Sequence, residues 1–449
     1  MDFNKIKEVL IKALVDKCVD EYEIYYASGS DCSVGALNRE VNNFSSGSNA
    51  GICLRLLADG KMGYASTELF EETELISLVD RAIENALATE KEDLVGIYCG
   101  SDEYEDKTTP VFNPIDVSEL KNDAKQLCDR LFDEDKRVTD GTSTQCISTS
   151  STVRIVNSHG LDLENTSGVN VLFAEAVLSK DGESQAAYVT REYKGDKDET
   201  MIEMAKKAVG DALDKMNASL VSTGKYNVII DGKPMRSILS VFSPAFSAKR
   251  VLDGMSPLKD KIGERIASTC ITITDDPQRE GNPVGTTFDA EGVATHRKAV
   301  VKEGILMTYL HNRETALRMN TETTANASKT GYSGTIGISP HSFAIECGED
   351  SLDELFEKAE NGIYITEVKG LHAGANPVTG DFSLESAGFV IRNGRKCEAV
   401  KSFTVAGNFL SLLSDVSAVS NELERGVPSG ITGFASPAVL VREMSVAGK

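Results

Sequence analysis

Residues 51–67, GICLRLLADGKMGYAST, constrain the fold more than any other stretch. Asp59-Gly60 stands between two alternating segments, and both turn residues accept positive φ, so the stretch predicts a tight hairpin. Residues 74–88 follow with Leu75, Leu78, Val79, Ala82, Ile83 and Ala86 on one helical stripe. A hairpin backed by an amphipathic helix starts an antiparallel sheet with flanking helices, the α+β arrangement.

The rest of the first half repeats this grammar. Ile6, Val9, Leu10, Ala13 and Leu14 make an amphipathic first helix, and residues 22–27 and 32–37 read as two short strands. Residues 98–113, with Asp102, Glu103, Asp106 and Pro110, form an acidic connector. Residues 118–132 are a helix with Leu120, Ala124, Leu127, Cys128 and Leu131 inward. Strands then run over 137–193, with turns at His159-Gly160 and Asp181-Gly182. The Ser/Thr-rich stretch 142–152 joins them because its β-branched content suits a pleated surface. A helix over 201–216 ends the series, and NASLVSTGK (217–225) is the domain boundary. The reading is α+β in two domains: 1–220, an antiparallel sheet with flanking helices, and 221–449, β-rich. In the second, YNVIID (226–231) is a buried strand. The helix from 233 to about 251 must kink or stop at Pro244, which lacks a backbone donor. One clear helix, 352–360, interrupts the strands beyond.

Composition narrows the function classes. With 47 Lys and Arg against 69 Asp and Glu, the net charge of -22 repels phosphate backbones, so no direct nucleic-acid contact is expected. Hydrophobic residues are 41% and charged residues 26%, the balance of a globular protein. No run reaches the length of a membrane span, and the charged N-terminal helix is unlike a signal peptide, so a cytoplasmic location is expected. The nine cysteines are scattered, with no CxxC clamp.

The chemistry has to be searched for. His159, His296, His311, His341 and His372 lie too far apart in sequence for any two to occupy adjacent turns of one helix. Dinucleotide, P-loop and nucleophile-elbow motifs are absent. One cluster gathers Asp275, Asp276, Glu280, Asp289, Glu291 and His296, a density suited to binding a hard cation or sharing a proton. Asp-Asp-Pro and Asp-Ala-Glu-Gly also suit turn formation, the blander reading and the favoured one. A second cluster, 370–395, carries five glycines with His372, Asn376, Thr379, Asp381 and Ser383. It reads as a backbone-dense loop near a ligand, as β-turns feeding two strands, or as both. Cys397, just beyond, reads as a buried thiol. A metal site built from His372, Asp381 or Cys397 stays open.

Taken in order, the hairpin 51–67, SPLKDKIGERIAS, DDP with FDAEGVATHR, KEGIL, GLHAGANPVTGDFS, FTVAGN and the closing REMSVAGK resemble the TldD/PmbA family, on the PmbA (TldE) side. The likeness covers essentially the whole chain. It implies a cytosolic metallopeptidase system acting on unfolded or peptide-like substrates, including peptide precursors under maturation. In it a TldD-type subunit carries an HExxxH zinc helix and a C-terminal cysteine ligand, and a PmbA-type subunit lacks both. The corresponding helix here, DGKPMRSILSVFSPAFSA (231–248), holds neither His nor Glu, and 421–441 hold no Cys. The resemblance therefore implies a chain without catalytic residues or metal of its own, with zinc in a TldD-like partner. That partner, or a second copy of this chain, would complete a dimer. Substrate would rest on a wall that includes His372, Asn376, Thr379, Asp381 and Ser383, with backbone pairing at an open strand edge. Two alternatives stand beside it: an independent hydrolase using Asp275, Asp276, Asp289, Glu291 or His296, and a DNA gyrase modulator acting through protein contacts, as the family's older label has it.

Overall fold

The computed structural model describes residues 2–90, 93–106, 111–193, 197–216, 218–428 and 432–449. Pro110 of the acidic connector and Asn217, which opens the expected boundary, lie outside them.

Asp2 caps the first helix, α1 (Phe3–Asp16), accepting from the Lys5 amide at 3.0 Å. Strands β1 (Tyr22–Leu37), β2 (Glu40–Ala58) and β3 (Lys61–Thr67) lead into helices α2 (Glu72–Ala88) and α3 (Val117–Glu134). Strands β4 (Ser143–Asn157), β5 (Asp162–Lys180) and β6 (Glu183–Glu192) follow, then helix α4 (Lys197–Lys215). The six strands form one antiparallel sheet in the order β3-β2-β1-β4-β5-β6. Asp59 and Gly60 make the β2–β3 turn at φ 50° and 73°, the mirror-image turn that matches strand twist.

The strand pairs read as 22–27 and 32–37 are one sixteen-residue strand, β1. Residues 28–31 are Ser, Gly, Ser and Asp, too polar to read as strand interior. Both neighbouring strands nevertheless hold them in register, with Ser30 opposite Ser48 and Ser150. The length matters because one strand serves two cores. At one end Ile24, Ile52, Leu54 and Leu56 pack on α1 and α2. At the other, Val34, Ala36, Cys146 and Leu172 pack on α3 and α4. Tyr25, Cys53 and Ile155 point to the opposite face by the two-residue period and pack on Phe288, Ala290 and Ala327.

The second half begins with β7 (Gly224–Ile230), parallel to strand Gly362–Lys369 and antiparallel to strand Val439–Ala447. Strands Asp381–Arg392 and Arg395–Asn408, joined through Asn393-Gly394, extend the sheet. Thr404–Ala406 then pair with Ser445–Ala447, so five strands close on themselves. A second six-stranded sheet, which includes Ile273–Asp275 and Ser342–Ile345, lies beside this closed one.

Helix α5 (Gly232–Phe242) joins them. It buries Met235, Ile238, Leu239 and Phe242, and each such side chain contributes roughly 1.5–3 kcal/mol by leaving water. Phe242 stacks on Phe409 at 4.7 Å. Pro244 ends α5 in a short 3-10 turn, Ser243–Phe246, as its missing donor requires. Among the described residues no helix is long and apolar enough to cross a membrane.

Candidate functional site

The acidic cluster divides in two. Asp275, at the end of its strand, is wholly buried. Its Oδ1 accepts from the backbone amides of His341 (2.8 Å) and Ser342 (2.9 Å), and its Oδ2 from Asn326 Nδ2 (2.7 Å) and Lys298 Nζ (3.4 Å). Burial alone would raise its pKa, but Lys298, His341 and these donors outweigh it and hold the carboxyl below its ordinary range. Asp275 is a carboxylate whose lone pairs are spent on tying three segments together. Asp276 accepts from the Gln278 amide at 3.2 Å, the turn chemistry its sequence suggested. Glu280 and His296 are exposed.

Asp289 and Glu291 form the other half. Asp289 Oδ1 accepts from the amides of Glu291 (2.9 Å) and Val293 (3.1 Å), and Oδ2 from that of Ala327 (3.0 Å). Burial and the neighbouring Glu291 push its pKa up. Glu291 accepts from the Arg313 amide at 2.9 Å, and burial raises its pKa too. It borders a cavity of about 520 Å³ shared with Arg55, Tyr64 and Asp93. Arg55 is itself buried and paired with Glu23 at 2.9 Å.

The segment 370–383 is a one-turn helix (Leu371–Gly374), a turn, and the start of the strand Asp381–Arg392. Asn376 Oδ1 accepts from the amides of Val378 (3.0 Å) and Thr379 (3.4 Å), and Asp381 accepts from Asn408 Nδ2 at 2.9 Å. The Asn408 contact and Thr379 lower the Asp381 pKa. His372 and Ser383 are exposed. Cys397 is also exposed, against the expectation of a buried thiol, because it lies just past the Asn393-Gly394 turn at an outer edge.

A larger cavity, about 700 Å³, lies elsewhere; none of His372, Asn376, Thr379, Asp381, Ser383 or the acidic-cluster residues lines it, although Glu385 and 387–389 do. Its walls are β6, α4 and the closed sheet, and α5 contributes Lys233, Arg236 and Ser237. Helix α5 holds no histidine or carboxylate to draw attention. The walls come from seven separated stretches, so spacing carried no signal for the cavity.

The resemblance set α5 at the place of the zinc helix of a TldD-type chain. Lys233 and Arg236 are cationic side chains, and Ser237 and Ser240 of α5 hydrogen-bond to carbonyls of their own helix. That donor set does not fit a zinc ion. Among the described residues no three His, Cys, Asp or Glu side chains come together in a group able to hold a metal.

Three family models match the chain: PmbA/TldA metallopeptidase domain 1 over residues 22–86, the central domain over 110–216 and the C-terminal domain over 223–448. Domain 1 and the central domain thus share the six-stranded sheet. An uncharacterized protein of Methanocaldococcus jannaschii is 29% identical over 415 residues, covering 90% of this chain and 93% of its own. A metalloprotease PmbA homolog of Haemophilus influenzae is 24% identical, covering 97% and 94%. The crystal structure of a Thermotoga maritima protein, named as a modulator of DNA gyrase, superposes with a TM-score of 0.89 at 29% identity, over 99% of this chain and 100% of that one. TldE from Thermococcus kodakarensis has the same fold, with a TM-score of 0.89 at 24% identity and the same coverage. With models spanning both halves, the chain belongs to the PmbA/TldA metallopeptidase family.

Proposed function

We propose that this chain is the TldE-like component of a PmbA/TldA-type metallopeptidase, holding peptide or unfolded-protein substrate while a TldD-like partner supplies zinc. The observation that carries the reading is α5: the helix at the position of the zinc helix presents Lys233 and Arg236 to a cavity of about 700 Å³. A pocket of that size accommodates several residues of an extended chain. The role is cytoplasmic, in a dimer with that partner or with a second copy. The loop bearing His372, Asn376, Thr379, Asp381 and Ser383 is proposed as an outer part of the substrate wall.

The test is reconstitution. The chain and a zinc-bearing family member from the same organism are assayed for peptide cleavage separately and mixed, with zinc measured in each. Turnover that requires both chains is expected; stoichiometric zinc and peptidase activity in this chain alone would overturn the reading. Asp381→Ala and Asn376→Ala in the mixed pair should slow turnover, and unchanged turnover removes the loop from the wall.

A second reading, an independent hydrolase, draws on Glu291, a buried acid of raised pKa bordering the 520 Å³ cavity. Under it Glu291→Gln abolishes activity of the lone chain. The modulator name of the Thermotoga protein suggests action on a basic protein partner rather than on DNA, since -22 charges oppose a phosphate backbone.

A further inference from the structure

The 700 Å³ cavity inverts the charge of the molecule. The chain carries -22, yet the cavity wall has eight Lys and Arg against six Asp and Glu. Most of these neutralise one another. Lys215 pairs with Glu367 at 2.7 Å, Lys369 with the same Glu367 at 3.3 Å, Lys207 with Asp211 at 3.2 Å and Lys396 with Asp214 at 3.6 Å. Arg191 reaches Glu424 at 3.7 Å, and Lys401 reaches Glu183 outside the cavity at 2.8 Å.

Two cations are left over, both on α5. Lys233 lies over the Tyr188 ring at 3.8 Å and donates to the Tyr188 carbonyl at 3.4 Å, with no carboxylate partner. Arg236, one helical turn on and on the same face, has no hydrogen bond or ion pair among the described residues, and its Nε is buried without a partner. Burial pulls the pKa of both down, the sign of charge held where water solvates it poorly. One end of the guanidinium packs against Gly426, where a Cβ would collide with Arg236 Nη1. A half-buried cation without an ion pair is costly, so its retention asks for a group that completes it.

We propose that this cavity is a binding site for a carboxylate carried by an extended peptide, with the Arg236 guanidinium as its principal contact and Lys233 beside it. A planar carboxylate matches the guanidinium fork with two parallel hydrogen bonds. Asp231 and Glu385, the wall's acids without an ion pair, oppose a polyanion while leaving room for a single negative charge. The peptide class rests on the function proposed above; the carboxylate follows from the cavity itself. It is either an acidic side chain or the peptide's own C-terminus.

Fluorescence anisotropy of labelled short peptides with the full chain, without any zinc-bearing partner, tests this. The probes are a glutamate-rich peptide with an amidated end, its glutamine counterpart with a free end, and the glutamine counterpart amidated. Binding of the first identifies a side-chain carboxylate and binding of the second a terminal one; the third should bind neither tightly nor saturably. Arg236→Met should weaken binding about tenfold or more, the loss of one charged hydrogen-bonding partner, with Arg236→Lys falling between. Ser237→Glu, which places a carboxylate one turn from Lys233, should compete from within and weaken binding similarly. Equal binding of all three probes, no binding of any, or wild-type affinity in both Arg236→Met and Ser237→Glu would overturn the proposal. Because no partner is present, failure here leaves the subunit reading standing, and failed reconstitution leaves this result standing.

Discussion

Asp275 and Arg236 are both charged and both in the second half of the chain, the first fully buried and the second half-buried, and they are treated in opposite ways. Asp275 has four donors on its two oxygens, whereas Arg236 has none among the described residues. The first arrangement holds a fold together; the second is what a binding site looks like before its ligand arrives. Sequence density of charge does not distinguish them. The acid-rich stretch that looks like chemistry is mostly spent on backbone amides, and the unremarkable GKPMRS stretch faces the cavity.

The sharpest test of the contrast is stability. Asp275→Ala should cost about 3–5 kcal/mol, read from the denaturant midpoint, because it strands Lys298 and two buried amides. Next is pH. Asp275 is held below the ordinary carboxylate range, so its contribution is complete above that range and is lost as pH falls through its lowered value. Asp289 is displaced upward, so ionising it in the folded state opposes folding. Its penalty is absent at low pH and grows as pH rises from the ordinary range toward the raised value. Stability against pH should therefore fall on both limbs, and Asp289→Asn should flatten only the upper one; a parallel shift of both limbs would refute the assignment.

Smaller effects sharpen the other side. Asp381→Ala removes an exposed contact to Asn408 and should leave the denaturant midpoint nearly unchanged. Arg236→Met should leave the melting temperature unchanged or raise it, since it deletes a half-buried charge that makes no ion pair among the described residues. A marked drop would mean that Arg236 supports the fold, and the comparison with Asp275 would collapse.

Local signals were legible where they were self-contained. Asp59-Gly60, Asp181-Gly182 and Asn393-Gly394 are all turns with positive φ at both residues. The β1–β2 turn, Asn38-Arg39, was not, because arginine rarely adopts φ 71°. Here its strain is offset by contacts from the Arg39 guanidinium to Asp129 at 3.2 Å and Asp133 at 2.6 Å on α3, ninety residues away. The polar middle of β1 was illegible for a similar reason: its partners, not its composition, keep it extended. Asp289 caps its own turn, as Asp-Ala-Glu-Gly suggests, yet the burial that raises its pKa depends on segments around 327.

By itself the sequence determined the periodicities, the hairpin turns, the stop at Pro244, the family and the absence of histidine and carboxylate from α5. Those depend on residues close together in the chain. Only the tertiary structure decided that 404–406 pair with 445–447 to close the sheet, and that six other separated stretches surround Lys233 and Arg236. Whether a buried charge is satisfied depends on which distant atoms arrive within hydrogen-bond reach, and no pattern along the chain encodes that distance.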